Sequence, residues 1–190
     1  MKKIAIVGSP GAGKSTLARK LGELLLIQVI HLDQYFWRKN WQETPSDIWI
    51  EFQQYLVQTN EVIIDGTYLN TLSIRLDAAD TIIFLDMHRL LCLWRVITRH
   101  FKYARRPRPD LSEDCLDKLS ICYIKQVFWK FPNTDRHKLI DMLKAQQTGK
   151  EIIWLHSKAE LSEFLDKLPE RLKEKEQTQK PEVALTTVTI

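Results

Sequence analysis

Residues 3–16, KIAIVGSPGAGKST, place the strongest constraint on the fold. An apolar, β-branched run over 3–7 leads into a turn containing Gly8, Gly11 and Gly13, and Lys14, Ser15 and Thr16 then open a segment of helical period. The spacing satisfies G-x-x-x-x-G-K-[ST], and the strand-loop-helix order is what makes the match specific. Glycine permits backbone conformations and close approaches that a Cβ would block, so successive N–H groups here can turn inward as an anion nest. The helix N-terminus adds its dipole, Lys14 a point charge for β- and γ-phosphates, and Ser15 a hydroxyl for Mg²⁺. Thr16 is expected at the α-phosphate. Gly8, Ser9, Pro10, Gly11, Ala12, Gly13, Lys14, Ser15 and Thr16 are therefore the candidate nucleotide-binding residues, with Mg-ATP as the expected ligand.

Five short apolar runs recur along the chain, at 3–7, 28–32, 61–64, 81–85 and 151–155. They are continuous in Ile, Val and Leu rather than alternating, as in strands of a parallel sheet covered on both faces, and segments of helical period separate them. The first helix carries a stripe of Leu17, Ala18, Leu21, Leu24 and Leu25. Ser46 is placed to cap a second with Ile48, Trp49, Phe52 and Leu56 on its apolar face. A longer helix is expected over about 89–103, then a break at RRPRPD, then another helix with Leu116, Leu119, Tyr123 and Val127 on one side. Ser157 and Glu160 form a capping box before Leu161, Phe164, Leu165 and Leu168.

With 190 residues, 44% apolar and 27% charged, the chain suits one domain over 1–170. Residues 171–190, polar and without a helical stripe, are expected to be a flexible tail, the alternative being that VALTTVTI adds an edge strand to a partner. No apolar run has the length of a membrane span and the N-terminus lacks a signal peptide's long apolar segment, so a cytoplasmic location is expected. Cys92, Cys115 and Cys122 lack the spacing of a metal site or disulfide framework and read as reduced, packed thiols. A net charge of +4 does not announce a nucleic-acid binder.

The charge is nevertheless unevenly spread. Arg89, Arg95, Arg99, Lys102, Arg105, Arg106 and Arg108 fall between 87 and 109 with no acid among them. Arg95 and Arg99 lie one helical turn apart, on one face, and can both address a transferring phosphate; Arg105, Arg106 and Arg108 suit a lid segment. A solvated basic face and a grip on nucleic-acid phosphates are the competing readings. Asp65, ending the third apolar run, is the candidate metal-side acid beside Ser15, with Gly66 leaving space near the reacting phosphate; a plain turn residue is the alternative. Asp33 ends the second run on the edge where ligands of open parallel sheets gather. His31 reads as a core imidazole. Tyr35, Phe36, Trp37 and Trp41 either stack on a planar substrate or floor a substrate-binding flap, while Trp49, Trp94, Trp129 and Trp154 read as core.

Taken in order, GSPGAGKSTLARKLGELL, HLDQYFWRKNWQETP, IIDGTY, RLDAADTIIFLDMHR, LCLWRVITR and RRPRPD resemble the P-loop kinases known as DNA topology modulation proteins, over about residues 3–168. Lys39, Asn40 and Thr67 depart from that pattern. The resemblance, shared with adenylate and shikimate kinases, implies an α/β three-layer P-loop NTPase sandwich. Its five-stranded parallel sheet would have the order 2-3-1-4-5, with an arginine-rich lid at about 95–115. It further implies that Asp33 orients or deprotonates an acceptor hydroxyl or contacts a metal-bound water, and that Arg75 binds substrate phosphate; for Arg75 a surface ion pair is the alternative. The expected activity is ATP-dependent transfer of the γ-phosphoryl group to a small acceptor, a nucleotide, nucleoside or other hydroxyl compound. Lys14, Asp33, Arg95 and Arg99 would carry the catalysis and Asp33, Gly66 and Arg75 would face the acceptor. The alternatives are a nucleic-acid-associated regulatory NTPase and a nucleotide sensor with negligible turnover.

Overall fold

The computed structural model describes residues 1–103, 121–146 and 149–178. The chain divides into two units, Met1–His156 and Ser157–Ile190. In the first, β1 (Lys3–Gly8), β2 (Val29–His31), β3 (Val62–Asp65), β4 (Thr81–Leu85) and β5 (Glu151–Leu155) form a five-stranded sheet. All pairings are parallel and the order is β2-β3-β1-β4-β5, the 2-3-1-4-5 that the resemblance implies. Its helices are α1 (Lys14–Leu25), α2 (Leu32–Phe36), α3 (Ser46–Leu56), α4 (Leu72–Ala78), α5 (Arg89–Tyr103), α6 (Ile121–Lys125) and α7 (Arg136–Ala145). A π-helical stretch, Gln126–Asp135, joins the last two and contains Pro132, whose missing N–H suits a break in the α-helical ladder.

The unbroken apolar character of the strands follows from burial on both faces. Ala5, Val7, Ile82 and Phe84 meet Leu72 and Leu76 of α4, Phe131, and Leu139 and Leu143 of α7. By register, Ile64 and Ile30 lie on that same face, where they pack with Trp49 and Leu56 of α3. Ile4, Ile6, Ile63 and Ile83 point the other way and are at most 1% exposed. Each such side chain contributes ~1.5–3 kcal/mol by leaving water. Helix α1 covers this second face, because Gly22 abuts Val29, the register partner of Ile63. Helices thus lie on both sides of one sheet, a three-layer arrangement.

Several local expectations change. Ser46 is the first residue of α3 and makes no capping bond; Pro45 occupies the cap, its fixed φ suited to helix entry. Leu24 and Ile48 are exposed, each at the margin of its stripe. Trp94 and Trp129 are exposed rather than core, whereas Trp154 meets Phe84 edge-on at 5.4 Å. In the second unit α8 (Lys158–Thr178) starts as the capping box predicts, with the Glu160 N–H donating to Ser157 Oγ at 3.1 Å. It passes Pro169 and makes 171–178 helical, so the expected boundary at 170 falls inside a helix. Residues 179–190 lie outside the described residues. Among the described residues no helix is long and apolar enough to cross a membrane.

Helix α1 ends where Leu26 takes a left-handed conformation, φ 57°, and its N–H returns to the Gly22 carbonyl. Glycine at 22 costs helix propensity, but a Cβ there would stand 2.4 Å from Val29 Cγ2, so the close approach of α1 to β2 demands it. Gly22→Ala is expected to lower the unfolding free energy by about 1–3 kcal/mol through overpacking, against the gain that helix propensity alone predicts. A urea titration decides between the two signs.

Candidate active site

Because the sheet is parallel, its strands deliver their C-terminal ends to one edge, and the candidate residues collect there. β1 ends at Gly8, φ 145°, and the loop to α1 turns through Gly11, φ 80°, and Gly13, φ 104°. These left-handed conformations favour glycine, and close approaches reinforce the choice: a Cβ would lie 2.4 Å from the Leu85 carbonyl oxygen at Gly8 and 2.4 Å from that of Cys92 at Gly11. Gly13 caps α1 without any side-chain hydrogen bond, leaving first-turn N–H groups for an anion. The loop is closed internally by Ala12 N–H to Ser9 O, 3.1 Å. Lys14 Nζ folds back onto the Ser9 carbonyl at 3.0 Å, holding its charge over the loop.

A second cation reaches this loop from α5. Arg95 Nη1 donates to the Ala12 carbonyl at 2.8 Å, so Arg95 stands beside the glycine loop. Arg99 does not join it there. One turn further along, Arg99 Nη2 donates to the Tyr123 hydroxyl at 3.0 Å. Arg105, Arg106 and Arg108 lie outside the described residues. Cys92, buried beneath the loop, has its thiol pushed up by burial, with a hydrogen bond to Ser9 opposing, which agrees with a packed, protonated thiol.

Beyond β3 the chain forms a segment, Gly66 to Tyr68, whose importance is not evident from its composition. Gly66 has φ 143°, and a Cβ there would meet Leu32 Cβ at 2.9 Å, so the glycine admits the start of α2. Thr67 Oγ1 donates to the Gly8 carbonyl at 2.7 Å and accepts the Gly8 N–H at 3.1 Å. Tyr68 has φ 28°, a strained value for a residue with a Cβ, and its phenol donates to Asp33 Oδ1 at 2.6 Å. The phenol's pKa is pushed well above the usual range, by burial first and by the charge of Asp33 next, so it remains a donor.

Arg75 is neither a substrate-phosphate ligand nor a surface ion pair. It is 1% exposed, and its guanidinium is turned inward onto the carbonyls of Gly66, Thr67 (2.8 Å) and Tyr68 (3.4 Å). Burial lowers its pKa to about 9, which leaves it charged at neutral pH. A planar donor fork with short reach from α4 suits this task, and its long stem hid the difference from a phosphate ligand in the sequence.

Asp33 lies in the first turn of α2, and Asp65 closes β3. Asp65, 5% exposed, places Oδ2 at 2.8 Å from His31 Nδ1, its register partner on β2. Its Oδ1 is buried without a hydrogen-bond partner among the described residues. His31 is therefore packed, as expected, but against the Asp65 carboxylate rather than in a purely apolar core. Asp86, the next acid on this edge, is committed elsewhere: Arg136 grips both its oxygens at 2.8 and 2.6 Å.

Among the described residues no cluster of three metal-ligating side chains exists. Mg²⁺ on a polyphosphate keeps several waters and takes few protein ligands. The Ser15 hydroxyl at the start of α1 and the orphaned Asp65 Oδ1 fit that role, the latter through water.

The aromatics after β2 pack on one another. Phe36 meets Tyr68 at 4.6 Å and Trp49 at 5.0 Å, Trp49 meets Tyr68 edge-on at 5.1 Å, and Trp37 meets Trp41 at 5.4 Å. Trp37 and Trp41 bracket a small antiparallel pair, Trp37–Arg38 with Gln42–Glu43. This is the packed-floor arrangement, and it fixes the ring of Tyr68. Thr67, Tyr68 and His31 are the residues whose part at this edge the sequence did not reveal; their adjacency to the ends of β2 and β3 was the available signal.

No known family's sequence profile matches the chain, and no curated protein does. The fold is shared with a solved shikimate kinase. Shikimate kinase from Acinetobacter baumannii, in complex with shikimate, is similar at 16% identity with TM-score 0.55, over 92% of this chain and 94% of that one. Deoxyadenosine kinase from M. mycoides is similar at 14% identity and TM-score 0.45, over 90% and 98%. A gluconokinase from Sinorhizobium meliloti 1021 is similar at 12% identity and TM-score 0.49, over 92% and 97%. The chain has a P-loop kinase-like fold.

Replacing the buried guanidinium leaves the carbonyls of Gly66, Thr67 and Tyr68 without their donor. Arg75→Met is expected to cost about 3 kcal/mol of unfolding free energy, read from urea midpoints at pH 7, and to do so without a change of ligand.

Proposed function

We propose that this chain is an ATP-dependent phosphotransferase that moves the γ-phosphoryl group onto a small acceptor bound beside Asp33. The observation that carries the reading is the convergence of two cations, Lys14 and Arg95, on one left-handed glycine loop at the C-terminal edge of the sheet. The motif order shared with P-loop kinases supports it, as does the fold.

Phosphoryl transfer asks the protein for positioning and charge stabilisation rather than covalent chemistry. The free N–H groups at Gly13 and the first turn of α1 would bind and orient the β- and γ-phosphates. On nucleotide binding Lys14 exchanges the Ser9 carbonyl for a phosphate oxygen, and Arg95, already beside the loop, faces the charge that develops between donor and acceptor. Ser15 and, through water, Asp65 would hold Mg²⁺. When bound, the ion would supply neutralisation of charge on the transferring phosphates. Asp33 receives or orients the acceptor's hydroxyl proton. Arg99 and the basic residues Arg105, Arg106 and Arg108 would complete a lid that excludes water. The acceptor is a nucleotide, a nucleoside or another hydroxyl compound, and the reaction is cytoplasmic.

Titration of the protein with ATP in the presence of Mg²⁺ should release heat. Lys14→Ala is expected to weaken binding or turnover by at least about tenfold; unchanged values remove the loop from the reaction. ADP release measured across nucleosides, nucleoside monophosphates and small polyols identifies the acceptor class. With the responding compound, Asp33→Asn should slow transfer by about 100-fold or more while ATP affinity stays within about twofold. A normal transfer rate would assign the acceptor proton to another group.

A further inference from the structure

The phosphate loop and the acceptor aspartate follow two different strands, β1 and β2, separated by β3, yet one three-residue segment touches both. Thr67 ties it to Gly8 through a hydroxyl that donates and accepts, at 2.7 and 3.1 Å, and Tyr68 ties it to Asp33 at 2.6 Å. The segment has no freedom to drift. Arg75 holds its carbonyls from within the protein, and the ring of Tyr68 is fixed against Phe36 and Trp49. The left-handed φ of 28° at Tyr68 is the local cost of this arrangement.

We infer that Tyr68 is a positioning residue for phosphoryl transfer: its phenol sets the rotamer and direction of the Asp33 carboxylate, and the Thr67 tie to Gly8 registers that carboxylate against the phosphate loop. The inference rests on the phosphotransferase reading and adds to it the group that aims the acceptor aspartate. Packing alone does not require the contact. The ring is already held by two aromatic neighbours, and a buried phenol satisfies its hydrogen with any acceptor. Here the acceptor is the carboxylate that faces the reaction, and a hydrogen bond to a charged group is worth more than a neutral one. A carboxylate directed in this way keeps near-attack geometry without reordering during the reaction.

The test is a double-mutant cycle of Tyr68→Phe and Asp33→Asn in the full chain, read in two ways. The first is ADP release from Mg-ATP with an equimolar mixture of nucleosides, nucleoside monophosphates and small polyols; the second is urea unfolding without ligand. Tyr68→Phe is expected to lower kcat by about tenfold with the KM for ATP within about twofold, and to have no further effect in the Asp33→Asn background. The urea shifts should also fall short of the sum of the two single shifts. Equal losses in both backgrounds, or additive shifts in urea, would show that the phenol acts through packing and overturn the proposal. If the parent binds Mg-ATP but releases no ADP with the mixture, the phosphotransfer reading is what fails. The urea cycle then decides the Tyr68–Asp33 contact alone, additivity removing it and non-additivity retaining it.

Discussion

A cation taken out of water must be surrounded by acceptors, and Arg75 meets that demand with the main chain rather than with a carboxylate. Its guanidinium lies on the carbonyls of Gly66, Thr67 and Tyr68, so the segment after β3 has its path dictated by an internal charge. Everything on the ligand edge inherits that path. Thr67 meets Gly8 because its own carbonyl is fixed, and Tyr68 meets Asp33 because its backbone is kept in a conformation it would not choose. The segment is thus a bridge between the two halves of the site.

The aromatic group under α2 has a complementary role. Phe36, Trp49 and Tyr68 pack at tilted and edge-on angles with centroids 4.6 to 5.1 Å apart, and Ile30, Leu32 and Leu56 close the space beneath. Such clusters fix ring planes as well as burying area. A polar tip at the end of a fixed ring is a more accurate director than one on a flexible stem. That is why a tyrosine, and not a serine or lysine, is suited to hold a carboxylate across the gap from β3 to α2.

Much of this architecture was legible in the residues. The glycine loop declared itself because its backbone requirement is written as residue type, and the five strands because burial on both faces leaves uninterrupted Ile, Val and Leu. Position within a helix stripe was less legible: Leu24, Ile48, Trp94 and Trp129 are apolar yet exposed, since a stripe's width depends on the neighbour and not on the helix. Ser46 failed as a cap because the preceding proline already sets the entry geometry. The role of Arg75 was misread because it faces inward on an edge where the sequence suggests ligands, and only the three-dimensional path of the loop shows that main-chain oxygens surround its guanidinium. Thr67 and Tyr68 left no composition signal because each works through a single oxygen.

The bond between Lys14 and the Ser9 carbonyl has a consequence for the cost of occupancy. The ammonium is held at 3.0 Å on an oxygen of the same loop. Under the proposed function a phosphate would replace that oxygen with a more strongly charged one, after part of the side chain's rotational freedom has been given up on folding.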